Sequence, residues 1–565
     1  MTPGLVSDLV PLPVLLPLLG AALTLAVRRS PRLQRLTSTA VLTGLVVVAA
    51  VLVVEADRRG PLVLWVGAWK EPLGISLVAD RLSALMLLVS GVVMLVVLVF
   101  SIAQGYEDDE TDTPMTIFHP TYLVLAAGVS NAFLAGDLFN LFVGFEILLF
   151  ASYVLLTLGG TSERIHAGTT YVVVSLLSSA LFLIGIAATY AATGTVNLAH
   201  LAIRIGGLDP GIVLVLQLCL LTAFGIKAAV FPLSAWLPDS YPTAPAPVTA
   251  VFAGLLTKVG IYAMIRVQTL LFPQSTLHGL LMWAALLTLV IGILGAVSQS
   301  GLKRILSFTL VSHIGYMLFG IALATAHGMA GAIFYVVHHI TIQTALFLIA
   351  GLVERFAGTT SLDRLAGLAA ASPLLSILFF TAAMNLSGIP PMSGFLGKIG
   401  LFQAGVEFDT PLSWALVVGG IVTSLLTLYA LAKVWNQAFW RPFPEIPDTD
   451  LAGQASGPAE APVLGEAPVL GDDAVLGDDA VLLEGPGAGA GSTTATALAR
   501  TQGPSTSRAL PPVMLAATAA MTAVGLVIAL VAGPLFAYAQ RAATDLMRRD
   551  PYITSVLPLP PGVRQ

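Results

Sequence analysis

Only six of the 26 basic residues in this sequence are lysines, at positions 70, 227, 258, 303, 398 and 433. Lys227, Lys258 and Lys398 stand inside apolar runs long enough to cross a bilayer, and Glu146 shares that setting, eight residues past Leu138 and twelve before Leu158. An ionisable group at bilayer depth is costly and usually marks an ion route. A lysine stem reaches outward by only a few ångströms, which does not bring Lys227 or Lys258 to the surface, and Glu146 is still shorter. Lys398, nine residues before Glu407, is the shallowest of the three lysines. The choice of cation carries information. Arginine keeps its proton under protein conditions, whereas burial disfavours the charged form of lysine enough to let the proton leave. A site that alternates between charged and neutral therefore needs lysine. The competing reading is a static ion pair or a snorkelling anchor.

Three of the eight histidines, His313, His338 and His339, fall in apolar runs beside Ser312 and Thr341. A side chain that titrates near neutrality can pass protons in either direction, or simply hydrogen-bond between helices. His119, His166, His200, His278 and His327 lie at run edges or in loops. Two of the lysines adjoin helix breakers: Pro232 and Pro238 follow Lys227, and Pro390 and Pro391 precede Lys398. Proline inside a span removes a backbone hydrogen bond and interrupts the helix. Two interrupted spans in corresponding halves point to the working site of a transporter with inverted repeats, or else to packing kinks. The single Cys219 excludes an intrachain disulfide and a cysteine framework for zinc or iron–sulfur. No Ser-His-Asp order, phosphate loop or metal-ligand spacing stands out, so the expectation is a protein without catalytic triad, metal or cofactor.

The elements that must hold these groups are apolar helices. The 565 residues are 56% hydrophobic and 10% charged, against roughly 25% charged in a soluble domain. That composition excludes a soluble enzyme and a secreted disulfide scaffold, and a net charge of −5 offers nothing to nucleic acid. Hydropathy marks about fourteen spans, near 5–27, 36–54, 80–103, 118–135, 138–158, 167–192, 211–237, 243–271, 278–299, 305–326, 330–353, 372–404, 413–438 and 511–538. Continuous apolar runs without alternation mean helices rather than a barrel. Arg28, Arg29, Arg32 and Arg35 follow the first run, which has no basic stretch ahead of it, so it reads as a retained span. If 28–35 is cytoplasmic, Lys303, Arg304, Arg355, Arg364 and Arg441 share that side, while the acidic loop Glu107–Asp112 would also be inside and Arg541, Arg548 and Arg549 outside.

The expected fold is thus an all-α polytopic membrane protein. N-terminal transmembrane helices occupy 1–117, two transporter repeats 118–271 and 278–438, a last transmembrane helix 511–540 and a tail 541–565. Residues 442–508 differ in kind: APVLGE, APVLGDD and AVLGDD repeat between 461 and 479 and give way to Gly, Ala, Ser and Thr. Such a segment buries too little apolar surface to order itself, which reads as a disordered acidic low-complexity loop or an interaction tail.

The stretch Phe224-Gly-Ile-Lys227-Ala-Ala-Val-Phe231-Pro232-Leu-Ser-Ala-Trp236-Leu-Pro238-Asp239, through Ala244-Pro-Ala-Pro247 to Lys258-Val-Gly260, closely resembles the signature of the antiporter-like subunits. Respiratory complex I, membrane-bound hydrogenases and Mrp-type sodium/proton antiporters share that family. Ser300-Gly-Leu-Lys303-Arg304 to Ser312-His313-Ile-Gly315-Tyr316 resembles its next signature, and the likeness covers roughly 80–440. Leu386-Ser-Gly-Ile-Pro390-Pro391-Met-Ser-Gly394-Phe-Leu-Gly-Lys398 is most similar to the D-type members of Mrp antiporters. The resemblance implies fourteen transmembrane helices, two inverted five-helix repeats and discontinuous helices at the seventh and twelfth spans. It implies a coupled pair at Glu146 and Lys227, a central relay at Lys258, linking histidines at His313 and His339 and an exit-side Lys398. The family usually carries lysine four residues after the paired histidines, where this chain has Gln343, so the step from Lys258 to Lys398 is either continuous or bridged by water. The implied function is a proton-translocating subunit of a multi-subunit sodium/proton antiporter in a bacterial plasma membrane, with protons, sodium, lipid and the other subunits as partners. The alternative is a proton-pumping subunit of a complex I-like oxidoreductase or membrane-bound hydrogenase, which shares every lysine named above.

Overall fold

A computed structural model describes residues 7–69, 74–105, 117–442 and 510–557. Nearly all of the acidic segment 442–508, and the loop Glu107–Asp112, lie outside the described residues. The chain opens with helices α1 (Leu12–Ala26) and α2 (Pro31–Arg59), followed by an antiparallel ribbon of β1 (Leu62–Trp65) and β2 (Ser76–Ala79) that pairs Leu62 with Ala79 and Trp65 with Ser76. The all-α expectation omitted this ribbon, whose eight paired residues sit in a link between spans. Then come α3 (Arg81–Gln104), α4 (Phe118–Leu134), α5 (Leu138–Thr157), α6 (Ser162–Thr193) and the short α7 (Leu198–Arg204). The centre of the chain forms α8 (Pro210–Ala228), α9 (Trp236–Ser240), α10 (Ala246–Leu270), α11 (His278–Ser298), α12 (Leu302–Leu323) and α13 (Ala326–Ala357). Last are α14 (Pro373–Ser387), α15 (Ser393–Phe408), α16 (Pro411–Trp440), α17 (Pro512–Leu530), α18 (Ala532–Arg548) and α19 (Asp550–Val556).

Among the described residues eleven helices are long and apolar enough to cross a membrane, and α1 and α14 are shorter apolar helices. Their starts follow from their sequences: Asp80 and Ser83 make a reciprocal cap on α3, Thr410 and Ser413 another on α16, and Thr161 and Thr325 cap α6 and α13. Burial separates the centre from the rim. The most apolar stretches of α10 and α13 are wholly enclosed by other helices, while α11 and α16 leave Trp283, Leu294, Val418 and Leu425 exposed. Between helices in lipid the attraction is close packing, which small residues permit. A Cβ on Gly144 of α5 would lie 2.8 Å from the backbone nitrogen of Ala132 in α4, and one on Gly292 of α11 would lie 2.5 Å from that of Ser312 in α12.

Two inverted repeats are visible in the links. Leu138 N–H donates to the Val196 carbonyl (2.9 Å) and Leu198 N–H to that of Gly136 (3.0 Å), tying the start of α5 to the end of α6. Leu302 N–H to Thr360 and Leu362 N–H to Ser300, both 2.9 Å, tie the start of α12 to the end of α13 in the same way. The helix pairs α5–α6 and α12–α13 are thus closed by the same two-bond ladder.

The stretch after Pro511 divides at Val531, where Gly533 and Pro534 follow at the head of the next helix. The last long apolar helix therefore ends at Leu530, and α18 is a separate amphipathic helix with Tyr538, Ala539, Ala542, Ala543 and Leu546 on its buried stripe. Its polar side bonds to the bundle: Arg541 reaches both carboxylate oxygens of Asp57 (2.9 and 2.8 Å), Asp545 pairs with Arg81, and the Tyr538 hydroxyl donates to the Arg81 carbonyl at 3.0 Å.

Candidate functional site

Both interruptions lie where the prolines are. Helix α8 stops at Ala228, Ala229 takes a left-handed conformation (φ 57°), and Pro232 stands in the irregular link before α9, which contains Pro238. Helix α14 stops at Ser387, Gly388 is left-handed (φ 84°), and Pro390 and Pro391 fill the gap before α15. A helix end in a membrane exposes carbonyls that need donors. At the α8 end the Ile226 carbonyl receives Trp236 Nε1 (3.1 Å), and in the link beyond it the Phe231 N–H donates to Thr288 Oγ1 (3.0 Å). The α14 end is served by Lys398 itself, whose Nζ donates to the carbonyls of Leu386 (3.1 Å) and Ser387 (2.9 Å). Lys227 occupies the last turn of α8. Both amines thus sit at the C-terminal end of a half-helix, where the carbonyl dipoles favour a cation.

Glu146 and Lys227 come together through a third residue. Lys227 Nζ donates to Ser179 Oγ (3.2 Å) and to the Ser175 carbonyl (3.3 Å), and the Ser179 hydroxyl donates to Glu146 Oε1. Glu146 and Lys227 are half-buried, and the amine stands 5.9 Å from the centre of the Phe145 ring. Beside them is a small cavity of about 20 Å³ lined by Phe145, Tyr171, Ser175, Lys227, Trp236 and Tyr241, about the space one water needs. The arrangement is amine, hydroxyl and carboxylate in series. A hydroxyl both accepts and donates, so it can hand a proton across without leaving its place.

Lys258 is fully buried in α10. A π-turn at Phe252–Leu256 ends two residues before it, and its Nζ donates to the Ala253 carbonyl at 2.5 Å. Such a turn breaks the regular bonding of a helix and recurs at functional positions. Among the described residues no hydrogen bond joins Lys258 either to the Glu146 group or to a histidine.

The second half is more densely connected. His313 Nδ1 bonds the Tyr335 hydroxyl (2.9 Å) and its Nε2 bonds Thr427 Oγ1 (3.3 Å), with the His339 ring 5.3 Å away. His338 Nδ1 bonds Ser393 Oγ (2.9 Å), which also donates to Asn385 Oδ1 (3.1 Å). The Tyr316 ring lies 5.0 Å from Lys398 Nζ and 5.1 Å from the Tyr335 ring. His313, His338, His339 and Lys398 therefore form one contiguous buried cluster with Tyr316 and Tyr335. Both ring nitrogens of His339 and the His338 Nε2 are buried without a hydrogen-bond partner among the described residues. Buried polar atoms are ordinarily satisfied, and a neutral imidazole offers one donor and one acceptor nitrogen, so these rings are able both to take up and to release a proton. Gln343, one turn past His339, donates to the Leu306 carbonyl (2.7 Å) and leaves its Oε1 unpaired.

Sequence reasoning missed the hydroxyls that join these groups. Ser175 and Ser179 of α6 and Tyr335 of α13 are single letters in apolar runs, and only the folded chain places them against Lys227, Glu146 and His313. The available signal was a run of serines at 175, 178 and 179 inside a span.

Known proteins resemble this chain in sequence and fold. Residues 135–427 match the family described as NADH:quinone oxidoreductase/Mrp antiporter, transmembrane. The D-type Na(+)/H(+) antiporter subunit of Alkalihalophilus pseudofirmus is 41% identical over 438 residues, covering 77% of this chain and 87% of that protein. A chain of the Mrp complex from Dietzia superposes with a TM-score of 0.83 at 32% identity, covering 99% of this chain and all of that one. A chain of respiratory complex I from Thermus thermophilus shares the fold, with a TM-score of 0.70 at 22% identity over 95% of this chain and 99% of that one.

Proposed function

This chain belongs to the NADH:quinone oxidoreductase/Mrp antiporter transmembrane family, and from that premise we propose that it is the D-type, proton-translocating subunit of a multi-subunit sodium/proton antiporter in a bacterial membrane. The likeness to a D-type antiporter subunit over 87% of that protein's length favours this reading over a subunit of a redox-driven pump. The count of fourteen spans, in which α8–α9 and α14–α15 each serve as one broken crossing, belongs to the same proposal.

Glu146, Lys227, Lys258, His313, His338, His339 and Lys398 carry the proton, and the broken ends beside Pro232, Pro238, Pro390 and Pro391 hold the outer two lysines. The single supporting observation is the serial contact of Lys227, Ser179 and Glu146. A carboxylate beside an amine favours its charged form. Drawing Glu146 away from Ser179 removes that preference and sends the proton onward to Lys258, then to His339 and His313, and through the Tyr335 cluster to Lys398. Water completes the two steps at Lys258, where no side chain bridges.

In everted vesicles holding the intact complex, Lys227→Ala and Glu146→Ala abolish sodium-dependent proton exchange while the complex still assembles. Full exchange in both variants refutes the roles.

A further inference from the structure

Nine residues before Glu146 on the same stretch, Asp137 stands in the link between α4 and α5 and is 5% exposed. Its Oδ1 caps α5 by accepting the Asn140 N–H at 2.6 Å. Its Oδ2 is buried and makes no well-formed hydrogen bond among the described residues, the Phe139 N–H acting on the carboxylate only weakly. A cap needs one oxygen, and an uncompensated carboxylate oxygen is expensive to bury, so the second one calls for another explanation. Asp137 also lines a cavity of about 410 Å³ with Gly74, Phe139, Leu183, Ile186, Tyr190 and Asn197. The cavity runs between the start of α5 and the end of α6. Its wall at Leu183 is one helical turn from Ser179, the hydroxyl that joins Lys227 to Glu146.

We propose that Asp137 is the carboxylate through which the first repeat exchanges protons with the membrane face carrying the β-ribbon, with hydronium entering by this cavity as the ligand. Hydronium gives its proton to the Asp137 carboxylate and leaves as water; the acid so formed passes the proton inward between α5 and α6 toward Glu146 and returns to the carboxylate. Asp137 lies outside the spans, and burial raises its carboxyl to about 6, against the opposing backbone N–H groups of Asn140 and Phe139. The titratable groups around it are Tyr190 of α6, on the same cavity, and Tyr552 of α19, whose phenol feels the Asp137 charge. Arg266 of α10, the nearby cation, is bound to Asp80. Asp137 is therefore free of a charged partner that would lock it ionised.

This inference rests on the proton-carrying role given to Glu146 and Lys227, and the test separates the two. Asparagine is as good a cap as aspartate, so Asp137→Asn keeps the Asn140 bond and removes only the titration. In vesicles holding the whole complex, Asp137→Asn lowers the exchange rate by about tenfold or more, the low end of what a positioned proton carrier supplies. Asp137→Glu recovers part of it. Independently, dicyclohexylcarbodiimide, which attacks protonated buried carboxyls, labels Asp137 of the native complex increasingly as pH falls through about 6, read by peptide mass spectrometry. Wild-type exchange in Asp137→Asn, or no labelling of Asp137 between pH 5 and 8, overturns the proposal; a purely capping role gives a normal Asp137→Asn and a failing Asp137→Ala. If Asp137→Asn does not assemble, the labelling of the native complex decides. If the native complex shows no sodium-coupled exchange, the antiporter reading fails while the labelling still judges Asp137.

Discussion

Replacing Ser179 by alanine removes one oxygen and tests the join between the two ionisable groups of the first repeat. Ser179 Oγ accepts from Lys227 Nζ at 3.2 Å and donates to Glu146, so alanine breaks two charge-assisted hydrogen bonds at once. Lys227 keeps its bond to the Ser175 carbonyl, which holds the amine in place but gives it no route to the carboxylate. A hydrogen bond to a charged group contributes about 1.5–3 kcal/mol. If the stabilisation of one of the two is felt in the transfer step, exchange slows roughly 10- to 150-fold, since about 1.4 kcal/mol is tenfold in rate. The assay is sodium-dependent proton movement in everted vesicles, read by a fluorescent pH probe and normalised to assembled complex. Ser179→Thr restores the hydroxyl and most of the rate. Exchange in Ser179→Ala equal to wild type, with Lys227→Ala inactive, would show that the amine works without this bridge.

Other substitutions probe the surrounding frame. Asp80 and Arg266 form a buried bidentate pair (2.6 and 2.9 Å) at the foot of α3; Asp80→Asn leaves the guanidinium unpaired and costs about 3–5 kcal/mol, whereas Asp80→Asn with Arg266→Met recovers much of it. Thermal unfolding of the detergent-solubilised complex reads both. Burial works to raise the Asp80 carboxyl, but the Arg266 charge and hydrogen bonds, with those of Ser83, outweigh it and hold it below the usual carboxylate range. The pair's contribution is accordingly present above the ordinary aspartate value and is lost as pH falls through the lowered one, which acid titration of the melting temperature checks. Gly388→Ala places a Cβ 3.0 Å from Lys398 Cδ and 3.1 Å from its Nζ, at φ 84°. Strain of about 1–2 kcal/mol and loss of the Leu386 and Ser387 contacts then reduce exchange without preventing assembly. Tyr335→Phe removes the hydroxyl bonded to His313 Nδ1 (2.9 Å) and slows exchange with little change in melting temperature.

The sequence made the charges and the breaks legible for one reason: both are anomalies in an apolar chain. Glu146, Lys227 and Lys258 stood out because hydrocarbon tolerates few ionised groups, and Pro232 and Pro390 because they interrupt runs that otherwise continue. What joins these groups was hidden. A serine such as Ser179 is unremarkable in a membrane helix, where its hydroxyl can bond its own backbone, and its role depends on which face of α6 meets α5 and α8. The same holds for Tyr335, whose bond to His313 spans two helices. Hydropathy also ran the last span to about 538, past the break at Val531, because Leu535, Phe536 and Tyr538 keep the average high. The polar stripe of Gln540, Arg541 and Asp545 marks α18 as a surface helix, and its place was fixed by partners, Asp57 and Arg81, more than 450 residues away in the chain. Asp137 escaped notice because an acid at the start of a helix is ordinary; its unpaired oxygen and its cavity exist only in the fold.

The central claim is that buried amines release and regain protons during transport, and Lys227→Arg tests it most directly. Arginine preserves the positive charge beside Glu146 and the hydrogen bond to Ser179, yet it does not give up its proton. Sodium-dependent proton exchange by the assembled complex, measured in vesicles across pH 6 to 9, is expected to vanish in Lys227→Arg as it does in Lys227→Ala. Exchange at the wild-type rate with arginine in that position would contradict the claim, because a fixed cation would then suffice.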